Sequence, residues 1–148
     1  MSTIKNLLAG LGGAVALNIL HESLKHKKGT PRIDLVGEEA LQKGLEQLGT
    51  GIQNEDNLYF STLGADVVSN ALYYSTIGAG SGENVWAKAV AVGLAAGVGA
   101  VTLPKPMGLN PEPVTRTPQV KALTVGYYVA GALVTAAILK VLGTDTKK

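Results

Sequence analysis

Apolar residues in this chain gather into four long blocks, with polar stretches between them. The first has the core "LLAGLGGAVALNIL" at 7–20 and, with its flanks, predicts a helix over about 4–24. The second, "LYFSTLGADVVSNALYYSTIGAG", occupies 58–80, and the third occupies 85–103. The fourth centres on "ALTVGYYVAGALVTAAIL" at 122–139 and predicts a helix over about 119–142. At about 1.5 Å per residue, such blocks match a hydrocarbon core of roughly 30 Å. Three of them are apolar around the whole helix, which suits a lipid-facing surface better than a soluble bundle.

A different period runs between the first two blocks. Over 34–48, Leu41, Leu45 and Leu48 share one helical face, while Glu38, Glu39, Lys43, Glu46 and Gln47 supply polar ones and Gly49 is placed to end the helix. This predicts an amphipathic helix at the membrane surface. The fold class that follows is an all-α integral membrane protein. A single domain over 1–148 holds four transmembrane helices plus one amphipathic helix in the first long loop. The segment 104–118, "PKPMGLNPEPVTRTP", carries five of the six prolines and is expected to be extended and stiff. The link "GAGSGEN" at 78–84 is expected to be a glycine turn without the strand and helix context of a phosphate-binding loop.

Composition sharpens this picture. Hydrophobic residues make up 46% of the chain but aromatics only 5%, so the interior has to be built from small side chains. Nineteen glycines, many within the apolar blocks, suit membrane helices that pack by close backbone approach. Gly93 and Gly97 form a GxxxG row in the third block, and Gly126 lies on a similar row with Ala122 and Ala130 in the fourth. One row is expected to pack within the bundle, leaving the other for a second copy or a larger membrane assembly, and the third and fourth helices are expected to cross closely at the rows containing Gly93, Gly97 and Gly126. A net charge of +2 gives no footprint for nucleic acid, and the absence of cysteine excludes disulfides, thiol catalysis and thiolate metal sites.

Four spans would leave both termini on one side. Lys5, Lys88, Lys140, Lys147 and Lys148 belong to that side, and eight basic residues belong to the other. The positive-inside rule then predicts that the eight-charge side is cytoplasmic and the termini periplasmic, in what is expected to be a bacterial inner membrane. A faint internal echo, "GAVAL" at 13–17 with "GAVTL" at 99–103 and Tyr73-Tyr74 with Tyr127-Tyr128, suggests a duplicated two-helix hairpin about an axis along the membrane normal.

Chemistry is sparse. "HESLKH" at 21–26 resembles a zinc-protease helix, but His21 and His26 are five residues apart and so about 140° apart around a helix, facing different ways. No metal and no cofactor is expected. The stronger pattern is a pair of polar stripes at i, i+3, i+4, i+7: Asn18, His21, Glu22 and Lys25 in the first block, and Asp66, Ser69, Asn70 and Tyr73 in the second. Counted at about 1.5 Å per residue, Asn18 and Asp66 lie at similar depth below one membrane face. A charged Asp at that depth costs on the order of 2.5–3.5 kcal/mol, so Asp66 should face protein or water, with Asn18, His21 or Lys121 as candidate partners.

Asp66, Asn70, Ser69, Asn18, His21 and Glu22 are therefore the candidate polar core or ion-binding residues. The leading expectation is an accessory or structural membrane bundle held by that polar core, with the lipid bilayer as its partner. The alternative is an oligomeric ion, proton or small-solute transporter or channel using Asp66, Asn70, Asn18 and His21. No catalytic residue is assigned, since nothing activates Ser69, the only nucleophile near His21.

Overall fold

The computed structural model describes residues 3–79 and 84–143. Six helices follow in order: α1 (Thr3–Leu24), α2 (Ile33–Gln47), α3 (Glu55–Ser75), α4 (Val85–Thr102), α5 (Glu112–Thr115) and α6 (Pro118–Val141), with a 3-10 turn at Thr76–Gly78 after α3. No strand occurs among the described residues. Local chemistry fixes several helix starts. The side chains of Asn54, Asn84 and Thr117 accept from the backbone N–H groups of Asn57, Ala87 and Val120, satisfying donors that the first helical turn leaves orphaned.

Three helices, α1, α4 and α6, are long and apolar enough to cross a membrane, which fits a membrane protein. Their outward faces agree. Ile4, Leu7, Leu8, Leu11, Val15 and Ile19 form an exposed stripe on α1, and Trp86, Val90, Leu94 and Val98 form another on α4. The four apolar spans expected from the sequence thus reduce to three. The helix α3 occupies the place of the second, but Glu55, Asp56, Asn57, Ser61, Asp66, Ser69 and Asn70 make it too polar to qualify. A helix forms where the amphipathic one was expected, but none of its residues is buried and Leu48, just past its end, is 80% exposed. Ile33, Val36, Gly37 and Ala40 turn toward the bundle, Leu41 is half-buried in the gap to α3, and a Cβ on Gly37 would lie 2.9 Å from the Thr62 methyl.

The four long helices stand in the order α3, α1, α6, α4, with each neighbouring pair in extensive contact and α3 scarcely touching α4. Glycines close the seams. At Gly93 and Gly97 of α4, an added Cβ would stand 2.7 Å and 2.6 Å from the Cα atoms of Val129 and Val125 on α6. On α1, Gly10 meets the backbone of Ala71 and Ser75 in α3, and Gly13 meets Thr135 and the carbonyl of Gly131 in α6. Tyr74 fills the junction of α3, α1 and α6; it is fully buried and donates its hydroxyl to the Tyr128 carbonyl at 2.8 Å.

Gly126 takes no part in this packing. It is exposed with open space beside it, so α6 meets α4 through Val125 and Val129, each one residue before a member of the expected row and so rotated to one side of its face. The duplicated hairpin is not seen either. A two-fold relating α1 to α4 and α3 to α6 would pair α3 with α4 as α1 pairs with α6, and α3 and α4 hardly meet.

The proline segment is not simply extended. Turns at 104–108 lead to α5, whose Val114 is buried, and Leu109 is buried as well. Hydrogen bonds stitch this segment to the chain after α1: Arg32 N–H to the Pro113 carbonyl (2.9 Å), Arg116 to the Thr30 carbonyl (2.6 Å) and Gln119 to the Gly29 carbonyl (2.9 Å). At the opposite end of the bundle, Lys5 donates to the Leu142 carbonyl, bringing the start of α1 to the end of α6. Residues 80–83 of the expected glycine turn, Lys147 and Lys148 lie outside the described residues.

Candidate functional site

The last turns of α1 carry the first polar stripe to the stitched end of the bundle. Asn18 donates back to the Ala14 carbonyl on its own helix (2.9 Å). His21 is buried, at 4% exposure, and its Nε2 accepts from the Ile33 N–H (3.0 Å) at the start of α2. That acceptor role leaves the ring proton on Nδ1, which faces Glu22 Oε2 at 3.3 Å. Glu22 in turn accepts from Tyr59 of α3 and pairs with Lys25 at 2.9 Å. Lys25 also lies 4.4 Å from the centre of the Tyr59 ring. Burial alone would lower the Lys25 pKa, but the hydrogen bond and charge of Glu22 outweigh it and hold the ammonium above its ordinary value.

The start of α2 adds groups that the sequence pattern did not single out. Arg32 grips Asp34 with two parallel bonds, Nε to Oδ1 at 2.9 Å and Nη2 to Oδ2 at 2.8 Å. His21 Nε2 is 3.4 Å from Asp34 Oδ1. Burial would push the Asp34 carboxyl up, yet the hydrogen bonds and charge of Arg32, with His21 beside it, hold it well below the usual carboxylate range. His21 Nε2 already accepts from the Ile33 N–H and so is not free to donate to Asp34; Arg32 carries most of that effect. Asp34 also sits in the first turn of α2, where a negative charge complements the helix dipole.

Asp66 lies where three cavities meet. A small cleft between α1, α2 and α3 is lined by Asn18, His21, Glu22, Asp34, Thr62 and Asp66, among others, with room for about one water molecule. The buried Thr62 hydroxyl has no hydrogen-bond partner there among the described residues. A second gap runs between α2 and α3 past Gly37, Ala40 and Asp66. The third and largest is the groove between α3 and α4, about 1140 Å³ with its open mouth included. Asp66, Ser69, Asn70 and Tyr73 line it from α3; Ala95, Ala96, Gly99 and Ala100 from α4; and Tyr128 forms its floor. The Tyr73 hydroxyl crosses to the Val92 carbonyl at 2.7 Å, a bridge between the two walls.

No protein family, curated protein or solved structure matches this chain. Function has to be read from the geometry alone.

The arrangement brings together most of the residues singled out from the sequence. Asn18, His21, Glu22 and Asp66 share the cleft, and Asp66, Ser69 and Asn70 share the groove. It separates others. Among the described residues the Asp66 carboxylate takes one hydrogen bond, from the Asn70 amide on its own helix (3.2 Å), and none from Asn18 or His21. Lys121 is exposed and lines neither cavity. His26 is exposed beyond the end of α1, and no group of three histidine or acidic side chains among the described residues is disposed to hold a metal ion. Arg32, Asp34, Tyr59, Thr62 and Tyr128 went unrecognised in the sequence. An acidic residue opening a helix, two positions after an arginine in "PRID", was the one available signal.

Proposed function

We propose that this is a small polytopic membrane protein that holds or carries a small solute in the α3–α4 groove, with Asp66 as its charged contact. The observation that supports this over a purely structural polar core is the setting of Asp66. Structural glue calls for a dry contact closed by hydrogen bonds from a neighbouring helix, whereas Asp66 borders an open groove and is bonded only to Asn70 of α3 among the described residues.

In this reading α3 is a fourth span despite its polarity. It runs antiparallel to α1 from the Gly10–Ala71 contact at one end to the Glu22–Tyr59 bond at the other, twelve residues of each helix or about 18 Å. A bilayer crossed by α1 over that depth is crossed by α3 as well. The polar side of α3 then faces the groove, while Phe60, Val68 and Leu72 face lipid. The helix α2 caps the groove at one end.

A second reading, an accessory bundle, draws support from the α4 wall of the groove. Its Ala95, Ala96, Gly99 and Ala100 would seat a helix of another membrane protein. Single-cysteine labelling separates the two, since the chain has no cysteine of its own. In reconstituted vesicles, Ser69→Cys in the groove should react with a small polar thiol reagent much faster than Val68→Cys on the lipid side of the same helix. Equal protection of both positions would mean a groove filled by lipid or protein, and would replace the solute reading with the accessory one.

A further inference from the structure

We infer that the groove takes a lipophilic monocation, an amine or other singly charged organic cation carried on an apolar body of a few hundred daltons. This rests on the solute-binding reading above and specifies its substrate class.

Charge comes first. The groove lining contains one carboxylate, Asp66, and no lysine, arginine or histidine. An anionic ligand, or a phospholipid headgroup with its phosphate, would find no cation there and would meet Asp66 at close range. A single positive charge is what the lining complements. The carboxylate also has capacity to receive it: Oδ1 accepts from Asn70, and no hydrogen bond occupies Oδ2 among the described residues.

The rest of the lining does not suit a hard inorganic cation. A hard cation such as calcium needs six to eight oxygen ligands. Around Asp66 the groove offers only Ser69, Asn70 and the two tyrosines, and the remaining walls are Ile33, Val36, Leu103, Met107 and other apolar side chains. Such walls cover an apolar body and exclude water from it, which strengthens the attraction between the ligand's charge and Asp66. Tyr73 and Tyr128 are both among the lining residues, and aromatic side chains favour organic cations. Its enclosed space of about 490 Å³ falls within the range of small-molecule pockets.

The test is equilibrium binding to the purified full chain in a nonionic detergent, using tetraphenylphosphonium as the cation and triphenylphosphine oxide as an uncharged body of similar shape. The cation should bind saturably, and the uncharged compound should do no more than partition into detergent. Asp66→Asn should weaken cation binding about 10-fold to 100-fold, while Asp66→Glu, which keeps the charge, should retain most of it. Ala95→Leu should remove binding by filling the groove. Thermal unfolding of each variant confirms a folded protein, and Asp66→Glu keeps the test decisive if Asp66→Asn does not fold. Equal binding of the uncharged compound, indifferent to Asp66→Asn but lost in Ala95→Leu, would overturn the cation assignment and leave the groove standing. Absence of saturable binding by either compound, or binding unaffected by Ala95→Leu, would overturn both.

Discussion

The two faces of α4 differ by a rotation of the helix and little else in composition. One face, at Gly93 and Gly97, closes onto α6 until backbones nearly touch. The other, at Ala95, Ala96, Gly99 and Ala100, is equally small yet faces an open groove with α3 beyond it. Small side chains therefore permit close approach without causing it. What differs is the opposing helix: α6 offers backbone flanked by Val125 and Val129, whereas α3 offers Asp66, Ser69, Asn70 and Tyr73, which an apolar wall cannot satisfy. A seam forms where both surfaces are apolar and flat, and a cavity remains where one of them is polar.

That contrast can be broken most severely at Gly10, where the α1–α3 seam runs backbone against backbone. Gly10→Val should cost at least about 3 kcal/mol and abolish a cooperative melting transition in detergent, because the atoms in its way are main chain of Ala71 and Ser75 and cannot rotate aside. Gly97→Ala should cost about 1–3 kcal/mol through the Val125 backbone at 2.6 Å, read as a lowered melting midpoint.

The cap over the groove's end comes next. Asp34→Asn should lower stability by about 1–3 kcal/mol at neutral pH by weakening the grip of Arg32 on the start of α2. Because the folded-state pKa of Asp34 lies below its unfolded value of about 3.9, this contribution is complete above that pH and is lost as pH falls toward the folded value. The melting midpoint of the parent should therefore drop in strong acid by more than that of Asp34→Asn.

The smallest effects belong to the groove. Gly99 is two residues from Gly97, but a Cβ there meets only the Leu103 Cδ1 at 3.4 Å, so Gly99→Ala should stabilise by up to about 1 kcal/mol through helix propensity. Ala95→Leu should change stability by no more than about 0.5 kcal/mol while filling the groove, as its melting midpoint will report. A Gly97→Ala protein as stable as Gly99→Ala would erase the distinction between seam and groove.

Helix positions were legible in the sequence from the apolar runs: the third and fourth, expected over 85–103 and about 119–142, match α4 and α6 to within a residue, whereas the second, expected over 58–80, overran the end of α3 and missed its polar first turn. The α4 side of the α4–α6 seam was legible too, since Gly93 and Gly97 stand one turn apart. Its α6 side was not, because a row of small residues at Ala122, Gly126 and Ala130 specifies a face of the helix and says nothing of what lies opposite. Gly13 and Gly131 meet across more than a hundred residues of sequence, a pairing that local periodicity does not encode. Within the candidate site, the stripe through Asn18, His21 and Glu22 and the stripe through Asp66 could be aligned by depth alone. The Arg32–Asp34 grip and its approach to His21 depend on a turn between α1 and α2, whose path is set by Thr30 closing the last carbonyls of α1 and by the distant Pro113 and Arg116.

The central position of α6 has a consequence for the order in which the protein can be made. α1 and α4 each pack extensively on α6 and have no comparable contact with one another, and the segment just before α6 supplies the bonds that hold the turn after α1. During synthesis the hairpin of α1 and α3 can pair early, but α4 then waits without its main neighbour. A chain ending before Pro118 would leave the glycine-lined faces of α1 and α4 that pack on α6 uncovered. Arrival of α6 is thus the step that commits these helices to their native arrangement.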